Sequence, residues 1–351
     1  MISFFPDVYP DELLYSWFSR YGVRVGYTNY RSVADDLFTS NTAKPNTEFL
    51  ISLNHDALSV ITASVPLDEA ILNHTMFPYY SRFLPVERRK KAYNSLLQMD
   101  KSFNNMLYIR RNKTQHRQWL RHCPICAAED KEVYGETYWH RLHQLDDVDI
   151  CQIHGCYLVN SKVTITSIDS PSLIHAETVL PKNMEVVYCQ NSIEKKLATY
   201  ISQVFTAEIE LDNSVKTGDF FHSKLENTPY LSTCGKRRLM EALFHDFAEY
   251  YCHLPNAAIT EQWQLRKIFS NYRCHTFDVC MLAMFLNVPI GELVHMKLPE
   301  KSRKQLFDEE IFRLHMQGLN YRQIANQLGV SYDYCKLIGC KQQKATISST
   351  K

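Results

Sequence analysis

A mainly α-helical, multi-domain fold that encloses one small α+β unit is what these 351 residues predict, and three observations carry the prediction. Apolar residues recur at three- and four-residue steps over most of the chain, which is the helical period. Between Leu120 and Tyr188 that period gives way to two pairs of metal-ligating side chains and then to short β-branched runs. From residue 301 onward two helical patterns meet across a glycine. The fold class is therefore mainly α with a small zinc-stapled α+β unit and a C-terminal helix-turn-helix, divided at 1–108, 109–190, 191–300 and 301–351.

In chain order, Pro6-Asp7-Val8-Tyr9-Pro10-Asp11-Glu12 leads into Leu13, Leu14, Trp17, Phe18 and Tyr21, an amphipathic helix with Asp11 as its expected N-cap and acids in its first turn. The aromatic residues on it read as core. Further helices are expected over Ser32 to Phe38, Leu67 to His74 and Glu87 to Leu107. The α+β unit supplies strands at Val159 to Ile168 and Met184 to Val187. Helical patterns resume through Ile193 to Val204, Lys236 to Tyr251, Glu261 to Tyr272 and Phe277 to Asn287, and Lys297 to Lys304 reads as a linker.

The chemistry lies in Cys123-Pro124-Ile125-Cys126 and Cys151-Gln152-Ile153-His154, with 24 residues between the pairs. Two residues between paired ligands let both side chains reach one tetrahedral ion from a tight turn, and the insert brings up the second pair. Four protein ligands close the coordination sphere, so a single zinc is expected to hold the fold rather than perform chemistry. His140 and His143 are rival ligands, but they lack a partner at chelating distance and read as packing or hydrogen-bonding residues. The remaining eight of 11 cysteines are scattered. The odd total, an N-terminus unlike a signal peptide and the lack of a long uncharged apolar run point to a reducing cytoplasm and away from a membrane.

Composition narrows the function classes. Only 10 glycines occur, and no GxGxxG, GxxxxGK, HExxH or GxSxG is present, so nucleotide, dinucleotide and common hydrolase chemistries lose their sequence support and no enzyme is expected. The net charge is +1, yet Arg82 to His122 carries 11 bases against two acids, and 301–351 carries nine against four. Such segregation suits polyphosphate on two surfaces. Arg110, Arg111, Lys113, Arg117 and Arg121 are the expected phosphate contacts of the first. Glu87 to Lys91 reads equally well as a solvated helix face.

In the C-terminal part, Ile324, Leu328, Val330, Cys335 and Ile338 are the apolar positions, with a small Ala325 at a close crossing and Gly329 at the turn. A supporting helix from Asp308 to Gln317, ended by Gly318, precedes them. The second helix is expected to begin near Ser331 and to turn Ser331, Tyr332, Asp333, Lys336 and Leu337 outward to a major groove, with Arg322 and Gln323 nearer the phosphates. An ordinary helical hairpin is the competing reading. Asp333 either accepts from a cytosine amino group or marks a face meant for something other than DNA.

Phe5-Pro6 with Tyr9-Pro10-Asp11-Glu12-Leu13-Leu14-Tyr15-Ser16, then His74-Thr75-Met76-Phe77-Pro78-Tyr79-Tyr80 and Glu87-Arg88-Arg89, resemble the TniQ/TnsD family. So do the two ligand pairs, Tyr134-Gly135-Glu136-Thr137-Tyr138-Trp139 between them and Gly155 after His154. The similarity runs from residue 4 to about 160 and is patchy beyond. The resemblance implies a non-enzymatic target selector that recognises double-stranded attachment-site DNA and recruits the AAA+ adaptor TnsC. The runner-up reading is an adaptor coupling a CRISPR RNA-guided complex to TnsC, with the helix-turn-helix as a protein interface. Two departures stand out: no second CxxC pair follows the first, and TnsD-type proteins are often longer.

Overall fold

The computed structural model describes residues 2, 4–107, 109, 119–165, 172–226, 228–255, 259–270 and 274–349. Among them run α1 (Leu14–Val25), α2 (Tyr30–Leu37), α3 (His55–Ser64), α4 (Leu67–His74), α5 (Phe77–Ser81), α6 (Val86–Leu97), α7 (Phe103–Met106), β1 (Trp119–His122) and α8 (Pro124–Tyr134). There follow β2 (Val159–Thr164), α9 (Ala176–Val179), α10 (Ser192–Thr206), α11 (Thr217–Lys224), α12 (Met240–Tyr250) and α13 (Gln262–Ile268). The chain ends with α14 (Thr276–Phe285), α15 (Ile290–Val294), α16 (Arg303–Met316), α17 (Tyr321–Leu328) and α18 (Tyr332–Ser349). They group into two compact units: 1–214 with 251–258 and 272–295, and 215–250 with 259–271 and 296–351. The first two expected segments thus share one unit, and residues from 191 to 300 contribute to both.

In the first unit α1 is buried over Leu14 to Gly22, so its face lies in the core as its aromatic spacing requires. Asp11 does not cap it. The helix starts from Leu13 without a side-chain cap, while Asp11 takes φ +55° and accepts hydrogen bonds from the Leu142 amide at 2.9 Å and Arg141 Nε at 3.2 Å. Helix α2 is capped by Asn29, whose side chain accepts from the Ser32 amide at 3.0 Å. The helix expected over Glu87 to Leu107 is broken in two. Met99 turns the chain at φ +54°, and Asp100 takes the Ser95 hydroxyl at 2.7 Å and the Ser102 amide at 2.5 Å. β1 and β2 form an antiparallel pair, Arg121 opposite Asn160, with a bulge beside Trp119. Residues 166–168 of the first expected strand lie outside the described residues. The expected strand at Met184 to Val187 is instead extended chain, joined by the Tyr157 amide to the Val187 carbonyl at 2.8 Å. Helix α14 is buried from Thr276 through Phe277 and from Val279 to Ala283, and the Thr276 hydroxyl donates to the Tyr79 carbonyl.

In the second unit, α16, α17 and α18 share a cluster of Ile311, Leu314, Ile324, Ala325, Cys335 and Ile338. The expected linker ends early, because Ser302 forms a capping box with Gln305 and starts α16 at Arg303. Asn320 and Gln323 cap α17 in the same way. Gly329 ends it at φ +64°, a left-handed conformation that a side chain would strain. Ser331 Oγ accepts from the Tyr334 amide at 3.3 Å where α18 begins. At Gly339 a Cβ would come within 2.6 Å of Tyr321 Cζ and 2.7 Å of Cε1, so α18 needs a glycine there.

Candidate functional site

The two ligand pairs converge. Cys123 precedes α8 and Cys126 lies in its first turn, with Pro124 at the position where a missing amide costs nothing. Cys151, Cys126 and Cys123 are buried, and with His154 their ligand atoms all lie within 4.8 Å of one another. Sulfur to His154 Nδ1 distances are 3.5 Å from Cys123, 3.3 Å from Cys126 and 3.6 Å from Cys151, and Cys126 to Cys151 is 3.7 Å. A tetrahedron with metal–sulfur bonds of about 2.3 Å and a metal–nitrogen bond of about 2.0 Å has edges of roughly 3.8 Å and 3.5 Å. The cluster therefore fits a metal ion held by three thiolates and one imidazole. Its electrostatics ask for one as well. Hydrogen bonds from Cys126 and Cys151 hold the Cys123 thiol down to about 2, while hydrogen bonding to Cys123 pushes Cys126 far up. A divalent cation removes that conflict, since it lets all the thiols ionise together.

Around the ligands lie further groups, of which sequence reasoning singled out His143 but not Cys156 or Glu129. Cys156 is fully buried with its sulfur 3.4 Å from that of Cys123. His143 is also buried, and burial pulls its imidazole down to about 4. His154 Nε2 lies 3.2 Å from Glu129 Oε1. Such partners orient ligands and tune their basicity. Position was the only available signal: Cys156 stands two residues beyond His154, but carried no chelating spacing of its own. His140 is held by Asp130, 2.9 Å from Oδ2, and is not a ligand.

The segment between the pairs ties this centre to α1. The Trp139 amide donates to Ser16 Oγ at 3.0 Å, the Leu13 amide to the Trp139 carbonyl at 3.0 Å, and the Tyr138 hydroxyl to the Pro10 carbonyl at 3.0 Å. Glu136 accepts from Arg20 Nε at 3.0 Å, Arg24 Nη2 at 2.6 Å and the Tyr9 hydroxyl at 3.0 Å. Arg20 is 1% exposed, bonds Glu12 Oε2 at 2.8 Å and lies 3.5 Å over the Tyr9 ring. Burial raises the Glu12 carboxyl to about 7 against the attraction of Arg20.

The expected phosphate contacts fare unevenly. Arg110, Arg111, Lys113 and Arg117 lie outside the described residues. Arg121 is buried, and its guanidinium donates to Val148 O at 3.1 Å, Leu145 O at 2.5 Å and Asp149 Oδ1 at 2.9 Å, so it braces the metal unit instead of meeting phosphate. Arg82 and Arg89 of the same stretch are likewise buried against backbone carbonyls. In the C-terminal helices Ser331, Tyr332, Asp333, Lys336, Leu337, Arg322 and Gln323 are all exposed. Gln323 Oε1 already accepts from the Asn320 amide at 2.9 Å. No described helix is long and apolar enough to cross a membrane.

Fold and site together define a mainly helical protein whose N-terminal part is built onto a Cys3His cluster that could hold a metal ion. Residues 3–158, which hold α1 to α8 and all four ligands, match the TniQ family model. It is also similar to the transposon Tn7 transposition protein TnsD of Escherichia coli, 28% identical over 153 residues. That match spans 43% of this chain and 30% of the relative's length.

Proposed function

We propose that this chain is a non-enzymatic, cytoplasmic target-site selector of a transposon, which binds attachment-site DNA in a sequence-specific manner and recruits the AAA+ adaptor TnsC and hence the transposase. The similarity of residues 3–158 to TniQ proteins and TnsD carries the reading. In it, one structural Zn²⁺ is held by Cys123, Cys126, Cys151 and His154, which fixes the segment bonded to α1. The segments 1–108, 109–190, 191–300 and 301–351 serve as TniQ-type domain, zinc unit, helical domain and helix-turn-helix. The last of these reads DNA: α18 lies in the major groove, Ser331, Tyr332 and Lys336 meet base edges, and Arg322 with Gln323 sits toward the backbone. The exposure of those side chains, over a buried cluster that holds the helix in place, supports this assignment. Arg110, Arg111, Lys113 and Arg117 add phosphate contacts, a role not extended to Arg121. The N-terminal helices remain for the adaptor.

The test is a competition binding assay with chromosomal duplexes from beside the transposon's insertion point. Wild type is expected to prefer the target over random duplex, and Lys336→Ala to lower that preference by about 1–3 kcal/mol while the protein stays folded. Equal affinity of wild type for target and random DNA overturns the reading.

A further inference from the structure

In the second unit, α12 and α13 wall an open groove of about 840 Å³, and its charged lining residues are Arg237, Arg238, Arg266, Glu241 and His245. Arg237 and Arg266 are exposed, and among the described residues neither side chain has a hydrogen-bond or ion-pair partner. Arg238 is half-buried, its guanidinium 4.9 Å over the Phe269 ring. Three guanidinium groups thus face one acid across a trough open to solvent. Unpaired arginines, here Arg266 on α13 and Arg237 just ahead of α12, are planar donors that suit phosphate oxygens, and an open trough suits a polymer backbone better than an enclosed small molecule.

The groove's place in the fold narrows the occupant. Arg237 and Arg238 leave the turn that ends at Gly235, where a Cβ would lie 3.0 Å from the Lys304 amide nitrogen and 3.1 Å from Arg303 Cβ. That turn is therefore seated on the start of α16, the helix that supports α17 and α18. Gly235 takes φ +69°, so the seat requires glycine.

We infer that this groove is a sequence-independent clamp on the phosphodiester backbone of double-stranded DNA, holding the stretch beside the one that α18 reads. The inference rests on the proposed DNA-binding function and adds a second, unassigned contact surface to it. The clamp would fix register and supply affinity without discriminating bases. An acidic protein segment is the rival occupant.

The experiment uses the full, metal-loaded chain and measures the affinity for a fluorescent random duplex and for the target duplex across a salt titration. Arg237→Ala/Arg266→Ala should make the slope of log affinity against log salt shallower by about 2, since each lost phosphate contact removes about 0.9. The target-to-random ratio should stay as in wild type. Arg237→Lys/Arg266→Lys, which keeps both charges, should keep the wild-type slope, and circular dichroism should show both variants folded. An unchanged slope in the alanine variant assigns the groove to something other than DNA and overturns the inference. A loss of slope in the lysine variant as well makes the arginines packing residues and overturns it too. If Lys336→Ala abolishes discrimination while the alanine pair binds as wild type, the clamp alone fails. If wild type shows no salt-dependent binding to any duplex, the DNA reading and the clamp fall together.

Discussion

Arg20→Met should destabilise the first unit more at pH 8 than at pH 6, for a reason written into the surroundings of Glu12. Glu12 is fully buried, and burial raises its carboxyl to about 7 while Arg20 pulls the other way. A carboxyl raised above its unfolded value contributes stability below about 4.3 that is lost as pH climbs to the folded value, at roughly 1.4 kcal/mol per unit. In wild type that loss is complete near pH 7, because Arg20 lets Glu12 ionise there. Without Arg20 the folded value moves above 7, so the variant goes on losing about 1.4 kcal/mol between pH 7 and 8 while wild type does not. Beneath this lies a cost common to both pH values, from the contacts of Arg20 with Glu136, the Asp7 carbonyl and the Tyr9 ring. With the charge partner lost outright, the total at pH 8 is about 3–5 kcal/mol. Urea unfolding followed by the fluorescence of Trp17 and Trp139, both fully buried in this unit, reads the difference. The reasoning is refuted if the gap between variant and wild type is the same at pH 6 and pH 8. It is also refuted if Glu12→Gln/Arg20→Met shows the same increment.

Cys126→Ser should leave the chain insoluble or unfolded, because a structural zinc contributes about 10–16 kcal/mol, as much as a whole domain's stability; soluble, folded, metal-free variant protein would show otherwise. His143→Leu should keep the fold but weaken metal retention by about 10–100-fold, because it removes a buried polar neighbour of the ligand Cys151, as a chromophoric chelator would measure. Gly339→Ala should cost up to about 2 kcal/mol, the strain of about 1–3 kcal/mol less about 1 kcal/mol of helix propensity, and Tyr321→Leu in the same chain should recover it in a thermal melt. Ile324→Asp should collapse the cluster of α16 to α18, seen as loss of helical signal, since Ile324 is fully buried there.

The ligand quartet was legible because chelation imposes short local spacing, and local spacing survives in one dimension. The helices were legible for the same reason: α17 and α18 repeat their apolar positions within a few residues. What sequence left hidden depends on where the chain returns. Asp11 has a helix-capping residue's chemistry, yet its carboxylate is claimed by Arg141 and Leu142 from far along the chain. Arg121 looked like one more cation in a basic run, and only the return of Leu145 to Asp149 around its guanidinium makes it internal. Glu87 to Leu107 kept helical composition throughout, and the break at Met99 follows from hydrogen bonds that Asp100 makes with Ser95 and Ser102. The groove stayed hidden because Arg237, ahead of α12, and Arg266, on α13, stand far apart in the chain.

The interleaving of the two units sets an order of events during synthesis. Helix α14 packs on α10, and its Thr276 bonds the Tyr79 carbonyl, so the first unit is completed by chain that follows α11, α12 and α13. At translation speeds of about 5–20 residues per second, residues 215–295 take roughly 4–16 s to emerge. For that interval α10 waits for α14, one of the helices packed against it. Nascent chains of this protein thus pass through a sticky stage on the ribosome, and a fragment stopped near residue 214 stays in it.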